Sequence, residues 1–89
     1  MSSIEDRAKQ LISKAGFDRL IRESEIGHAR WKSVRYRNIR ISTNELEVLE
    51  RVFPQYALWL ISGKIAPEVG QTSPEYDEVN SKLDSHAEG

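Results

Sequence analysis

The sequence predicts an all-α fold, a bundle of five short helices followed by a weaker sixth. Three observations carry that prediction. Apolar residues recur at steps of three and four along most of the chain, the period of one helix face. Two capping boxes, Ser3-x-x-Asp6 and Ser42-x-x-Glu45, mark helix starts (Ser2-x-x-Glu5 fits the first start equally well). Gly16, Pro54, Gly63 and Pro67 then supply stops and breaks where those periods end. Eighty-nine residues make one domain with one modest core.

The first helix carries Ile4, Ala8, Leu11, Ile12 and Ala15 on one stripe, with acids in its first turn where the helix dipole favours them. Gly16 ends it. Phe17–Ser24 reads as a short second helix, with Asp18 as its cap and Phe17 packing back on Ile21. Ile26 and Gly27 turn the chain into a third helix over residues 28–37, and Asn38-Ile39-Arg40-Ile41 reads as a loop or extended piece. Leu46, Leu49, Val52 and Phe53 follow the second capping box at helical spacing. Pro54 stops that helix and opens the fifth, and Gly63 caps it with Ile65 placed to fold back. After Lys64 the composition shifts to Pro, Gly, Ser, Thr and acids. Residues 65–89 are therefore read as an acidic extension to a helical domain spanning residues 1–64. Ser73-Pro74-Glu75 starts a short final helix bearing Tyr76, Val79 and Leu83, and residues 84–89 are expected to lack order.

The third helix is where the charge collects. Residues 27–40 hold five of the thirteen Lys and Arg residues and no Asp or Glu. With successive side chains about 100° apart, Trp31 and Val34 share a face that can pack. Ala29, Lys32, Ser33 and Tyr36 lie opposite. Arg30 and Arg37 stack on one flank, His28 and Arg35 on the other. A polar ridge between two positive rails suits a major groove about 12 Å wide and walled by phosphates. The formal charge of −1 hides this, because the five cations of residues 28–40 are balanced by a net −5 over residues 65–89. Local fields act within a Debye length of about 8 Å, so a neutral total does not argue against a polyanionic partner.

Composition removes other classes. At 38% hydrophobic and 30% charged the chain is ordinary for a globular protein rather than a disordered one. There is no cysteine, so neither a disulfide framework nor a thiolate metal site is expected. Two histidines, His28 and His86, are too far apart in sequence to suggest zinc. The longest apolar run, Tyr56 to Ile61, is far short of the ~20 residues that cross a bilayer. The opening residues lack a basic region followed by an apolar one, so a cytoplasmic protein is expected. His28 has no nearby nucleophile and orienting acid, and no catalytic constellation is visible. The expectation is a non-enzyme with no cofactor, no membrane partner and no small-molecule ligand.

A short helix, a turn and a basic helix anchored by Trp31 and Val34, then a capped helix with Leu46-x-x-Leu49-x-x-x-Phe53 and the segment Trp59-Leu60-Ile61-Ser62-Gly63-Lys64, resemble the lambda-repressor/Cro-like (XRE) helix-turn-helix family. The resemblance covers residues 4–64, and the extension through Gln71-Thr72-Ser73-Pro74-Glu75 is similar to tails on some phage and prophage members. It implies a five-helix lambda-repressor-like bundle with Phe17–Ser24 as positioning helix and His28–Arg37 as recognition helix. Base reading would fall to His28, Ala29, Lys32 and Ser33. Phosphate contacts would fall to Arg30, Arg35, Tyr36, Arg37, Asn38 and Arg40. The implied function is a sequence-specific regulator of double-stranded DNA, repressor-like, acting as a homodimer. Leu58, Trp59, Tyr76 and Leu83 are the candidate dimer contacts. The alternative is a protein-interaction module of antitoxin or anti-repressor type on the same bundle. Glu25, where the family favours glycine in the turn, and the acidic tail motivate it.

Overall fold

Ser3, rather than Ser2, begins the first helix. In the computed structural model, which describes residues 2–88 and the side chains of residues 2–81, α1 runs Ile4–Ala15. The Ser3 hydroxyl accepts from the Asp6 amide at 3.1 Å, and the Asp6 carboxylate accepts from the Ser3 amide at 3.2 Å. The bond from the Ser3 amide first, and the Ser3 hydroxyl beside the carboxylate second, hold the Asp6 carboxyl below its usual range. The further helices are α2 (Phe17–Arg22), α3 (His28–Tyr36), α4 (Thr43–Val52), α5 (Ala57–Ser62) and α6 (Pro74–Glu88). Single 3-10 turns precede α5 at Pro54–Tyr56 and follow it at Pro67–Val69.

The apolar stripe of α1 is the spine of the bundle: Ala8, Leu11 and Ile12 are buried, and α1 touches each of α2, α3, α4 and α5. Leu20, Trp31, Val34, Val48, Leu49, Val52, Phe53, Tyr56 and Leu60 complete the core. Arg7 is buried on the same helix, which the sequence reading did not anticipate. Its Nε donates to the Leu60 carbonyl at 3.0 Å and Nη2 to that of Ile61 at 3.2 Å, while Nη1 donates to the Ser2 carbonyl at 2.6 Å. Carbonyls at a helix C-terminus lack intrahelical partners and carry partial negative charge, so a guanidinium satisfies both needs there. Arg7 thereby pins α5 to the start of the chain.

Several expectations are corrected. Asp18 does not cap α2. Gly16 occupies the N-cap and Phe17 is the first helical residue, which leaves Asp18 in the first turn. The second helix is also shorter than expected, because the Ser24 hydroxyl closes it by donating to the Leu20 carbonyl at 2.6 Å. Gly63 takes the left-handed cap conformation as expected, but Ile65, placed to fold back beyond it, remains 38% exposed. The final helix runs to Glu88, across residues 84–88 of the stretch expected to lack order, and nothing between Glu75 and Glu88 is a glycine or proline.

The C-terminal extension is tied down by specific polar bonds. Gln71 accepts from the Leu58 amide at 3.0 Å and donates to the Pro54 carbonyl at 3.1 Å, so it caps the start of α5. Ser73 caps α6 through the Tyr76 amide at 3.1 Å. The buried Tyr56 hydroxyl donates to the Asp77 carboxylate at 2.8 Å. Burial first, and the Asp77 carboxylate second, push that phenol up to about 12.

Gly63 has φ of 77°, and a Cβ placed there would lie 3.2 Å from Arg7 Nη1. Gly63→Ala is expected to cost about 1–2 kcal/mol from the left-handed backbone alone. A urea titration of the variant should show a lower midpoint at an unchanged slope.

Candidate nucleic-acid interface

The rotation of α3 is set by two side chains. Trp31 is 0% exposed and Val34 1% exposed, and both belong to the core. The opposite arc is then fixed in solvent: His28, Ala29, Lys32 and Tyr36 are exposed and Ser33 is half-buried. The four residues expected to read bases therefore share one accessible ridge. The helix ends one residue earlier than expected, at Tyr36, and Arg37 leaves it with extended backbone. Arg37, Asn38 and Arg40 are all exposed along the connection to α4.

One flank of α3 leans on α1 and α2. Arg35 Nε donates to the Ser13 hydroxyl, and its guanidinium lies 5.0 Å from the centre of the Tyr36 ring. Phe17 presents its ring edgewise to both His28, at 5.1 Å, and Tyr36, at 6.1 Å. Ile12, Ser13, Gly16, Phe17, Arg35 and Tyr36 enclose a shallow hollow of about 190 Å³ there. Phe17 was expected to staple α2 onto Ile21. Its ring also meets His28 and Tyr36 of α3, contacts visible only once α3 is folded against it.

The other flank is held by charge. Arg30 Nη2 lies 2.7 Å and Nε 3.1 Å from one oxygen of Glu45. Glu45 is buried, although the sequence marks it only as a capping-box residue at the start of α4. The same carboxylate accepts from the Ser42 amide at 3.1 Å and from the Ser42 hydroxyl. Burial pushes the Glu45 carboxyl upward, but the bonds from Arg30 and Ser42 outweigh it and hold the group below its ordinary value. Arg30, expected among the phosphate contacts, is thus paired within the fold, and Glu45 offsets its charge while 42% of the Arg30 side chain stays exposed. Arg35, Lys32, Arg37 and Arg40 have no acidic partner among the described residues.

Of the dimer candidates, Leu58 is exposed and Tyr76 half-buried, whereas Trp59 packs partly against the core with its ring edgewise to Tyr56 at 6.3 Å. The Leu83 side chain lies outside the described residues. Ile61, Ile65, Val69 and Val79 are further exposed apolar side chains in this part of the chain. No group of His, Cys, Asp and Glu side chains among the described residues could hold a metal ion. No helix among them is long and apolar enough to cross a membrane.

A solved structure, that of Pf6r from the filamentous phage Pf6 of Pseudomonas aeruginosa PA01, superposes on this chain with a TM-score of 0.90. The two are 58% identical, and the match covers 93% of this chain and 99% of Pf6r. The chain belongs to the Pf6r family. No protein-family model and no curated protein matches it. Coverage of nearly all of Pf6r means that the two share one architecture over most of this chain.

Glu45 has its carboxyl below the ordinary glutamate value of 4.5, so the stability it contributes is present above that value and is lost as pH falls through its lowered one. Glu45→Gln is expected to cost about 1–3 kcal/mol at pH 7. That is less than breaking a fully buried pair, because Arg30 remains partly in water. Denaturation midpoints of the two proteins should converge as pH is lowered below 4.5.

Proposed function

We propose that this Pf6r relative is a sequence-specific double-stranded DNA-binding regulator of repressor type, a phage-type member of the lambda-repressor/Cro-like helix-turn-helix family, with α3 in the major groove. The observation that carries the reading is the solvent-facing ridge of Ala29, Lys32 and Ser33 bordered by unpaired cations. His28, Lys32 and Ser33 are hydrogen-bonding groups for base edges, Lys32 suiting guanine O6 or N7, and Ala29 can meet a thymine methyl. Arg35, Tyr36, Arg37, Asn38 and Arg40 supply phosphate contacts, which position the helix without reading sequence. The phage origin of Pf6r supports a small phage regulator.

One such domain buries little surface on DNA, which favours a homodimer on two half-sites about one helical turn apart. Leu58, Ile61, Tyr76 and Val79 are the side chains available for that contact on α5 and α6, with Trp59 contributing only its outer edge. The proposed location is the cytoplasm, where such DNA is found. No catalytic role is proposed.

A second reading keeps the bundle but gives it a protein partner. It is favoured by the connection between α2 and α3, in which residues 23–27 lie outside helix. Tight helix-turn-helix connections use three or four residues.

Titration of a mixed-sequence duplex at 50 and 200 mM salt separates the two readings. The DNA-binding chain is expected to lose affinity by orders of magnitude over that range, whereas a protein-interaction module binds poorly at both salts. On a site enriched from random DNA, Lys32→Ala should cost about 1–3 kcal/mol and relax the preference for one base pair. Arg37→Ala should weaken all sequences alike and flatten the salt slope by about one unit. Equal, salt-insensitive losses from both substitutions would contradict this division of labour.

A further inference from the structure

By its place on the helix, Arg30 belongs to the rail that would face a phosphate wall. Its bonds point elsewhere. Two guanidinium nitrogens converge on one oxygen of Glu45, and Nη2 also lies 3.4 Å from the Arg40 carbonyl. Glu45 in turn accepts from the amide and hydroxyl of Ser42. One buried carboxylate thus joins the first turn of α3, through Arg30, to the cap of α4, while Arg30 also reaches the backbone of the loop between them. That loop carries Arg37, Asn38 and Arg40, and the Ile41 amide is further met by Glu5 at 3.4 Å.

We propose that Arg30 is a positioning residue: together with Glu45 it fixes the phosphate-gripping loop against the base-reading helix and makes no phosphate contact of its own. The inference deepens the DNA-binding reading and rests on it. The chemistry suits arginine, whose planar fork spans two acceptors at once, where a lysine ammonium is a single point charge on a flexible stem. It also requires the acid. If Arg30 served phosphate, a neighbouring carboxylate would only weaken it, and removing Glu45 would free a cation for DNA. If Arg30 positions the loop, removing Glu45 releases the loop and weakens binding.

The test measures affinity for a mixed-sequence 24-base-pair duplex across 50–300 mM salt for the wild type, Arg30→Met, Arg30→Lys and Glu45→Gln. The folded fraction of each variant is checked by circular dichroism. All three variants should bind about tenfold more weakly, the scale of losing one charge-assisted hydrogen-bond network. The slope of log affinity against log salt should stay at the wild-type value, and Arg30→Met combined with Glu45→Gln should be no worse than either alone. Amide resonances of residues 38–42 should shift alike in all three. Arg30→Lys carries the test if Gln at 45 lowers the folded fraction, since it keeps the charge and removes only the fork. A slope reduced by about 0.9 unit in Arg30→Met, a wild-type affinity in Arg30→Lys, or an unchanged or tighter affinity in Glu45→Gln would each overturn the assignment. A wild-type chain that fails to bind the duplex at 50 mM salt would instead overturn the DNA reading itself, and this assignment with it.

Discussion

The seating of Trp31 and Val34 against the core is the constraint on which everything outward depends. Three residues apart on α3, they fix its rotation, and a helix rotated by one residue would turn its outer arc by about 100°. Trp31 is the largest side chain that is wholly buried. Large aromatics dominate core energetics through the area they remove from water. The same seating leaves the indole N–H without a partner among the described residues. An unmade bond of that kind costs about 1–3 kcal/mol, so packing rather than hydrogen bonding holds this residue in place. The ridge of Ala29, Lys32 and Ser33 is the geometric complement of that burial.

Around this seat, α3 is held on its two flanks by different chemistry. Toward α1 and α2 the contacts are neutral or aromatic: Ser13 beneath Arg35, and Phe17 edgewise to His28 and Tyr36. Toward α4 the contact is an ion pair with a buried carboxylate. The first leaves the Arg35 charge intact and the second offsets that of Arg30. The two rails that look equivalent on a helical wheel are therefore unequal in the folded chain.

How much of this was legible follows from the range over which each interaction acts. The capping boxes at Ser3 and Ser42, the stop at Gly63 and the outward face of α3 are local patterns, decided by residues within one or two turns, and they were readable. Arg7 with the carbonyls of Leu60 and Ile61, and Arg30 with Glu45, join residues far apart in sequence. No periodicity announces them. A glutamate in a capping box looks satisfied by its own helix, and only the approach of α3 gives it a second task. Asp18 was misread for a related reason: aspartate is a strong cap, but Gly16 already occupied the position one residue before the helix. Pattern fixes which residues could cap, and the path of the chain decides which one does.

The charge distribution completes the physical picture. The chain is nearly neutral, yet five cations and no acid fall between residues 27 and 40, while α6 begins with Glu75 and Asp77. Asp77 is held by the Tyr56 hydroxyl and so lies against the turn that precedes α5. A neutral total limits the long-range pull on any polyanion, and screening confines the rest to about a Debye length. Under the proposed reading, such a molecule would gain affinity only when its basic face is already close to the phosphates. Orientation then matters more than net attraction. On the proposed DNA-binding reading, a rigid attachment of the loop carrying Arg37 and Arg40 is worth more than one additional free cation, because each remaining charge would then meet a phosphate without rearrangement. A buried acid beneath a basic helix, unfavourable by simple charge counting, is consistent with that requirement.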